Sequence, residues 1–466
     1  MKGTMNKNKN TRNYALIIAT LSSFMTPFMG SSINIALPSI QNELIINAVQ
    51  LSWVATAYLL TSSVTLIPFG RLADIYGRKK ILITGTSIFT VSSFLSALCN
   101  SAYTLIAARS LQGIGASMIF ATGIAMLISV FPPEKRGRVL GINVAAVYIG
   151  LSMGPFGGGL LTQYFGWRSV FLINVPIGVL IILLLLKLKS EWAEAKGEKY
   201  DWFGAAFYSV SLGCLMYGLS SIPSEEAIFF IIAGVAGLSA FILWIKKAVH
   251  PLFKITLFQE NRVFVFSSLA AFIHYSATFA MTFLLSLYLQ YLKGLDPQSA
   301  GIILISQPLV MALLSPFAGR LSDRFDSRII ASTGMGVTFI CLLLFANLDW
   351  DSTLFYMIVS LVISGLGFAL FSSPNTNAIM GSVDKKYYGL ASGTAGTMRL
   401  LGMMGSMAIV TVLFTIYIGR VDITPFYYAN FLTTMQIAFL IFAGLSFAGI
   451  FASVARGKVK THEQAD

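Results

Sequence analysis

Gly70-Arg71-Leu72-Ala73-Asp74-Ile75-Tyr76-Gly77-Arg78-Lys79-Lys80 gathers five charged residues into eleven positions of a chain that is only 11% charged. The pattern recurs. Gly319-Arg320-Leu321-Ser322-Asp323-Arg324-Phe325-Asp326-Ser327-Arg328 repeats its glycine, arginine, leucine, aspartate, aromatic and basic positions 249 residues later. Each copy follows one long apolar run and precedes another, so the sequence predicts two halves with equivalent loops.

Over all 466 residues, 56% are hydrophobic and 11% charged, whereas a soluble globular chain is about 25% charged. Most of the sequence divides into apolar runs long enough to cross a hydrocarbon core as helix. The chain therefore reads as an all-α integral membrane protein, with the lipid bilayer as its first partner. A net charge of +13 would suit nucleic acid only if the basic residues shared one soluble face. They are scattered through short loops instead, where Lys and Arg set membrane topology, so no nucleic-acid partner is expected. Cys99, Cys214 and Cys341 are isolated, which indicates neither a disulfide framework nor a metal site. The basic N-terminus resembles a signal peptide, but the apolar run after it continues to Leu37 without a small-residue cleavage pattern, and it reads as the first span.

Apolar runs bounded by charge, Gly and Pro place spans near 14–37, 50–69, 81–99, 103–131, 139–163, 169–186, 202–221, 227–245, 263–291, 299–318, 329–348, 353–381, 388–418 and 428–454. With both termini cytoplasmic, the inward segments hold 27 of the 32 Lys and Arg and the outward loops only Arg168, Lys293 and Arg420. That asymmetry supports fourteen spans in this orientation, in a plasma membrane. Arg136-Gly137-Arg138-Val139-Leu140-Gly141 is echoed by Tyr388-Gly389-Leu390-Ala391-Ser392-Gly393 at an offset of 252. Matching spans one to six with nine to fourteen leaves spans seven and eight as an insertion. The expected domains are a six-helix bundle over 1–190, a two-helix insertion over 191–255 and a second six-helix bundle over 256–466. Duplicated halves of this kind are the architecture of secondary transporters.

The stretch 70–80 resembles the signature loop between spans two and three of the major facilitator superfamily. Asn34-Ile35-Ala36-Leu37-Pro38, Arg109-Ser110-Leu111-Gln112-Gly113-Ile114-Gly115-Ala116, Gly154-Pro155-Phe156-Gly157-Gly158-Gly159 and Trp167-Arg168 with Phe171 to Gly178 are similar to the fourteen-span drug:proton antiporters of the EmrB/QacA type. The resemblance spans nearly the whole chain. It implies a major facilitator fold of two six-helix bundles plus two extra central helices, and export of amphipathic small molecules by alternating access with proton entry. It also implies gating roles for Gly70, Arg71, Asp74, Gly77 and Arg78 and for their echoes Gly319, Asp323 and Arg324, with Asp74 meeting a helix N-terminus or a basic residue of the other half. Gly150, Gly154, Pro155, Gly158 and Gly159 would form a shaped hinge in span five. Physically, Gly70 and Gly77 would supply backbone freedom at the tight reversal. Glycines four apart let a neighbouring helix approach closely, while Pro155 removes a backbone hydrogen bond.

An intramembrane charge is a functional candidate by default, which singles out Arg109 in span four and Arg399 in span thirteen. The acid that the family usually places in span one is replaced by Met29, and all 19 acidic residues fall in loops, tails or span ends. The one embedded histidine, His274, is then the remaining titratable candidate for coupling. Asn34, Gln112, Asn375 and Asn377 are expected to add uncharged polar groups around the substrate. No phosphate-binding loop is present, so no nucleotide motor, cofactor or enzymatic activity is expected, and a monomer is compatible with all of this. An anionic metabolite or siderophore, or proton-independent facilitation, is the alternative for the same fold. A non-transporting receptor would lack the repeated loops and the Gly154-Pro155 feature.

Overall fold

The computed structural model describes residues 2–222, 224–248, 252, 261–383 and 388–457; for 2–10, 133–138, 140, 144, 323, 388–390 and 392 it describes the backbone alone. Among the described residues the regular structure is entirely helical. Fourteen helices among the described residues are long and apolar enough to cross a membrane, as expected where every backbone polar group must be satisfied within its own segment. Spans 1 to 7 are Thr11–Leu44, Ala48–Tyr76, Arg78–Ala97, Ala102–Val130, Gly141–Phe165, Arg168–Lys187 and Trp202–Ser221. Spans 8 to 14 are Glu225–Ile245, Arg262–Leu292, Pro297–Ser322, Ser327–Ala346, Leu354–Gly381, Gly393–Tyr417 and Pro425–Ala455.

The first helix outruns its expected end at Leu37, because Pro38 is accommodated inside it and the helix continues to Leu44. Proline inside a membrane helix is tolerated where neighbouring groups satisfy the freed carbonyl, and Pro68, Pro155, Pro316 and Pro374 are also helical. Span 6 breaks at Ile173 and span 10 at Ile305, while span 9 ends in a π-helical turn at Tyr288–Leu292.

The chain divides into two compact units, one of residues 1–46, 53–214 and 233–252 and the other of 47–52, 215–232 and 253–466. Within each unit the same glycine contacts recur at matching positions. A Cβ on Gly150 of span 5 would lie 2.5 Å from the Phe24 carbonyl oxygen of span 1, and a Cβ on Gly402 of span 13 would lie 2.5 Å from that of Phe272 in span 9. Spans 3 and 4 meet at Gly85 and Gly115 as spans 11 and 12 meet at Gly334 and Gly367. Such contacts bring helix backbones together where lipid offers no hydrophobic drive for association. The repeat read from the loops is thus also a repeat of packing.

Span 5 carries the densest series. Gly150, Gly154 and Gly158 press in turn on Phe24, Ser31 and Ser32 of span 1, all within the first unit, with Pro155 and Gly159 buried on the same helix.

Candidate functional site

Arg109 sits near the start of span 4 with 1% of its surface exposed. Its Nε donates to the Val54 carbonyl oxygen at 3.0 Å, one Nη donates to Gln112 Oε1, and its guanidinium carbon lies 4.4 Å from the centre of the Tyr58 ring. Gln112 then donates through Nε2 to Ser93 Oγ at 2.7 Å. Spans 2, 3 and 4 therefore meet on one buried cation, which stays within this network and does not reach toward a span end. Arg109 and Gln112, three residues apart, share one helix face. Asn34 is buried in span 1 of the same unit.

Where the family places its span-one acid, Met29 is fully buried and its sulfur accepts from Asn174 Nδ2 at 3.2 Å. The Asn174 Oδ1 has no hydrogen-bond partner among the described residues. Asn174 lay inside a motif quoted from the sequence, but only the fold brings it to Met29. Close by in sequence, Trp167 Nε1 donates to Glu43 Oε2 at 2.7 Å, and Arg168 both pairs with Glu43 and stacks 4.3 Å over Trp167.

In the second unit His274 is fully buried. Its ring stacks on Phe371 at 4.0 Å and meets Phe368 edge-on at 4.7 Å, and neither ring nitrogen has a hydrogen-bond partner among the described residues. Arg399 lies against span 9: its guanidinium carbon is 5.2 Å from the Tyr275 ring centre, and its Nε is buried without a partner among the described residues. Asn375 is engaged elsewhere. It donates to the Ser267 carbonyl oxygen at 3.1 Å and accepts from Arg456 Nη1 at 3.0 Å. Arg456 itself is fully buried, and its other Nη donates to the Ser327 carbonyl oxygen at 2.5 Å. Burial pulls its guanidinium down to about 10, with nearby Asp326 opposing the shift, so it remains a cation at neutral pH. Arg456 carries no local signal of this role, because it stands among the basic residues of the C-terminal tail. Asn377 is exposed and donates to Ser322 Oγ of the second loop at 2.8 Å.

The first loop is a charge network. Asp74 Oδ1 accepts from Arg78 Nε at 3.1 Å and from its Nη2 at 2.8 Å, and Arg78 Nη1 also reaches Glu194 at 2.7 Å, Ser129 Oγ at 2.5 Å and the Ala125 carbonyl oxygen at 3.0 Å. Arg71 pairs with Glu198. Of the two glycines expected to loosen the turn, only Gly77 needs to be one, since its φ is +117°. Gly70 is helical, and a Cβ there would make an ordinary contact with Ala121 at 3.8 Å. In the second loop Gly319 and Arg324 are helical, Arg324 is exposed, and Asp326 caps the next helix through the Arg328 amide at 2.9 Å. The side chain of Asp323 lies outside the described residues.

Among the described residues, the acids within the fourteen spans are Glu43, Asp74, Glu225 and Glu226, each within three residues of a span end. No group of three or more His, Cys, Asp or Glu among them is placed to hold a metal.

A polytopic helical protein whose two units repeat both a loop and its packing contacts is a membrane transporter of the duplicated type. The chain belongs to the Major Facilitator Superfamily, which it matches over residues 19–206 and 267–465. It is 34% identical over 414 residues to the riboflavin transporter RibZ of Clostridioides difficile (strain 630), covering 87% of this chain and 88% of that one. It is 29% identical over 398 residues to the multidrug resistance protein Stp of Mycobacterium tuberculosis (strain CDC 1551 / Oshkosh), covering 84% and 74%. Relatives of the second kind support the resemblance to drug antiporters. Among solved structures a D-xylose-proton symporter superposes with a TM-score of 0.69 at 13% identity over 96% of this chain and 98% of that one, a likeness of fold alone.

Proposed function

We propose that this transporter exports amphipathic organic compounds from the cytoplasm across the plasma membrane by alternating access, drawing on proton entry, with both termini cytoplasmic. The observation that carries the substrate class is the charge of the span interiors. Two arginines, Arg109 and Arg399, lie within them against aromatic rings, and no acid among the described residues does. A desolvated cation without a facing carboxylate repels cationic compounds and favours neutral or acidic ones that bring acceptor oxygens. Tyr58, Tyr275, Phe368 and Phe371 supply aromatic surface beside those arginines and His274. The name of Stp, a multidrug resistance protein, favours drug-like compounds, and that of RibZ favours a second reading in which the compound is a flavin.

His274 is the proposed proton carrier. A carrier must bind its proton well in one conformation and poorly in another. A histidine ring enclosed by phenylalanines fits the second condition, and the first requires a rearrangement that brings an acceptor or water to it. The test is flux in proteoliposomes for riboflavin, fluorescein and ethidium with and without an imposed pH gradient. Riboflavin or fluorescein should move and ethidium should not; preferential ethidium flux contradicts the reading. In His274→Gln, downhill flux should persist while acceleration by the pH gradient disappears. A variant that keeps the acceleration removes His274 from coupling.

A further inference from the structure

Between spans 6 and 7, residues 188–201 form neither helix nor strand, apart from a turn at 194–197, yet they are tied along their length to the first repeated loop. The Arg78 amide donates to the Trp192 carbonyl oxygen at 2.8 Å, and the Ala195 amide donates to that of Asp74 at 2.9 Å. Glu191 Oε1 accepts from the Lys79 amide at 2.8 Å, and Lys79 Nζ donates to the Leu188 carbonyl oxygen at 2.5 Å. Glu194 and Glu198 take Arg78 and Arg71, and Tyr200 Oη donates to the Pro68 carbonyl oxygen at 3.1 Å. The segment lies so close that any side chain at position 77 would collide with Glu191. The spacing of Glu191, Glu194 and Glu198 lays three acids over Arg71, Arg78 and Lys79. It is a strap.

We infer that this strap is a moving part of the transport cycle, and that Glu191, Glu194 and Glu198 are positioning residues that hold the loop at 70–80 in one of its conformations. The inference rests on the transport reading. Two features carry it. First, the anchorage is almost wholly polar and its acids are open to water: the Glu194 and Glu198 side chains are 64% and 46% exposed, over an Arg78 that is itself buried. Exposed ion pairs of this kind are weak singly, and a segment held by them opens at low cost. Second, Arg78 is a shared node. Asp74 and Glu194 bind the same guanidinium, so a movement that hands Arg78 or Asp74 a new partner must also break the strap. An inert connector would have no need to meet the loop at both charged side chains and backbone.

The test uses the full-length protein with Cys99, Cys214 and Cys341 changed to alanine and the exposed pair Lys80 and Lys196 changed to cysteine, neither being a strap contact described above. Spin labels at the two cysteines should give two distance populations by pulsed EPR. The longer one should grow several-fold at high salt and again in Glu194→Gln, and be restored to the parental fraction in Glu194→Asp. Linking the same cysteines with a cleavable flexible reagent should lower Vmax at least tenfold with KM unchanged, and reduction should restore it. The probe is whichever of riboflavin, fluorescein and ethidium the unlinked protein moves fastest. A single distance population indifferent to salt, or undiminished flux in the linked protein, overturns the inference. If none of the three compounds is moved, the proposed function fails, and the distance populations alone decide whether the strap opens.

Discussion

The two copies of the repeated loop share their residues and differ in what holds them. In the first, helix, glycine turn and helix carry charges that pair with a polar strap of water-facing acids, and the buried Arg78 answers to Asp74, Glu194 and Ser129 together. The second has no glycine at the turn, where Phe325 is extended and Asp326 caps the following helix. Its anchorage comes from below, through the fully buried Arg456 that binds Ser327 and Asn375. A duplicated motif has thus kept its sequence while one copy is held through water-facing, exchangeable acids and the other is pinned by a buried cation. Exposed ion pairs contribute about 0–1 kcal/mol each, whereas removing one partner of a buried polar cluster costs several-fold more. The two loops are expected to respond to mutation in opposite currencies, flux for the first and stability for the second.

The largest effects fall where the copies agree. Gly150→Leu and Gly402→Leu each drive a side chain into a backbone carbonyl of the neighbouring helix, and helix carbonyls cannot step aside as side chains do. Each substitution should cost about 3 kcal/mol or more and abolish the folded peak in detergent size-exclusion chromatography. If one is tolerated and the other not, the packing repeat does not extend to that contact.

Where the copies differ, Arg456→Ala leaves Asn375 Oδ1 and the Ser327 carbonyl buried with a partner removed. It should lower stability by about 2 kcal/mol, read as a fall in Tm of the purified protein. Arg78→Ala should change stability by less than half as much, since its acid partners Asp74 and Glu194 face water and are solvated without it, although Arg78 itself is buried. Equal losses of Tm would erase the distinction between a pinned and an exchangeable loop. Asp74→Asn sharpens it from the other side. Arg78 keeps Glu194, Ser129 and the Ala125 carbonyl, so Tm should shift by no more than about 0.5 kcal/mol equivalent, while initial flux falls about tenfold at unchanged substrate affinity. Loss of affinity in proportion to flux would move Asp74 from gating to binding.

The spans and the repeat were legible because they rest on local composition: twenty apolar residues bounded by charge have one solution in lipid. Arg109 and Gln112 were each legible as polar residues inside an apolar run; their hydrogen bond appears only in the fold. Asn174 against Met29, Arg456 beneath Asn375 and the strap over the first loop join residues 145, 81 and about 115 positions apart. Sequence spacing carries no information on such partners. Arg456 was hidden further by looking like one more topology-setting cation, and the hydrogen bond of Asn377 to Ser322 of the second loop was not legible because a polar residue on a span can face in any direction.

The smallest expected effect compares the two entrances to the repeat. Asn47 and Asp296 stand 249 residues apart, immediately before spans 2 and 10. Each caps its helix, Asn47 Oδ1 accepting from the Gln50 amide at 2.9 Å and Asp296 Oδ1 from the Ser299 amide at 2.9 Å. The caps are geometrically alike and electrically unlike. The Ser299 amide, and after it the Ser299 hydroxyl, holds the Asp296 carboxyl below its ordinary value. An acid whose folded value is depressed contributes stability that is full above its unfolded value, about 3.9, and is lost as pH falls through the lowered folded value. Asn47 has no such window. Asp296→Asn should therefore leave a working cap at neutral pH, with Tm lower by about 0.5 kcal/mol equivalent at most. Between about pH 4 and pH 2 the wild type should lose that advantage and the two curves converge. The measurement is the difference in Tm between wild type and Asp296→Asn across this range, in one detergent and at one ionic strength. A constant difference down to pH 2 would show that the Asp296 charge adds nothing to the cap, leaving the two entrances equivalent in energy as well as in geometry.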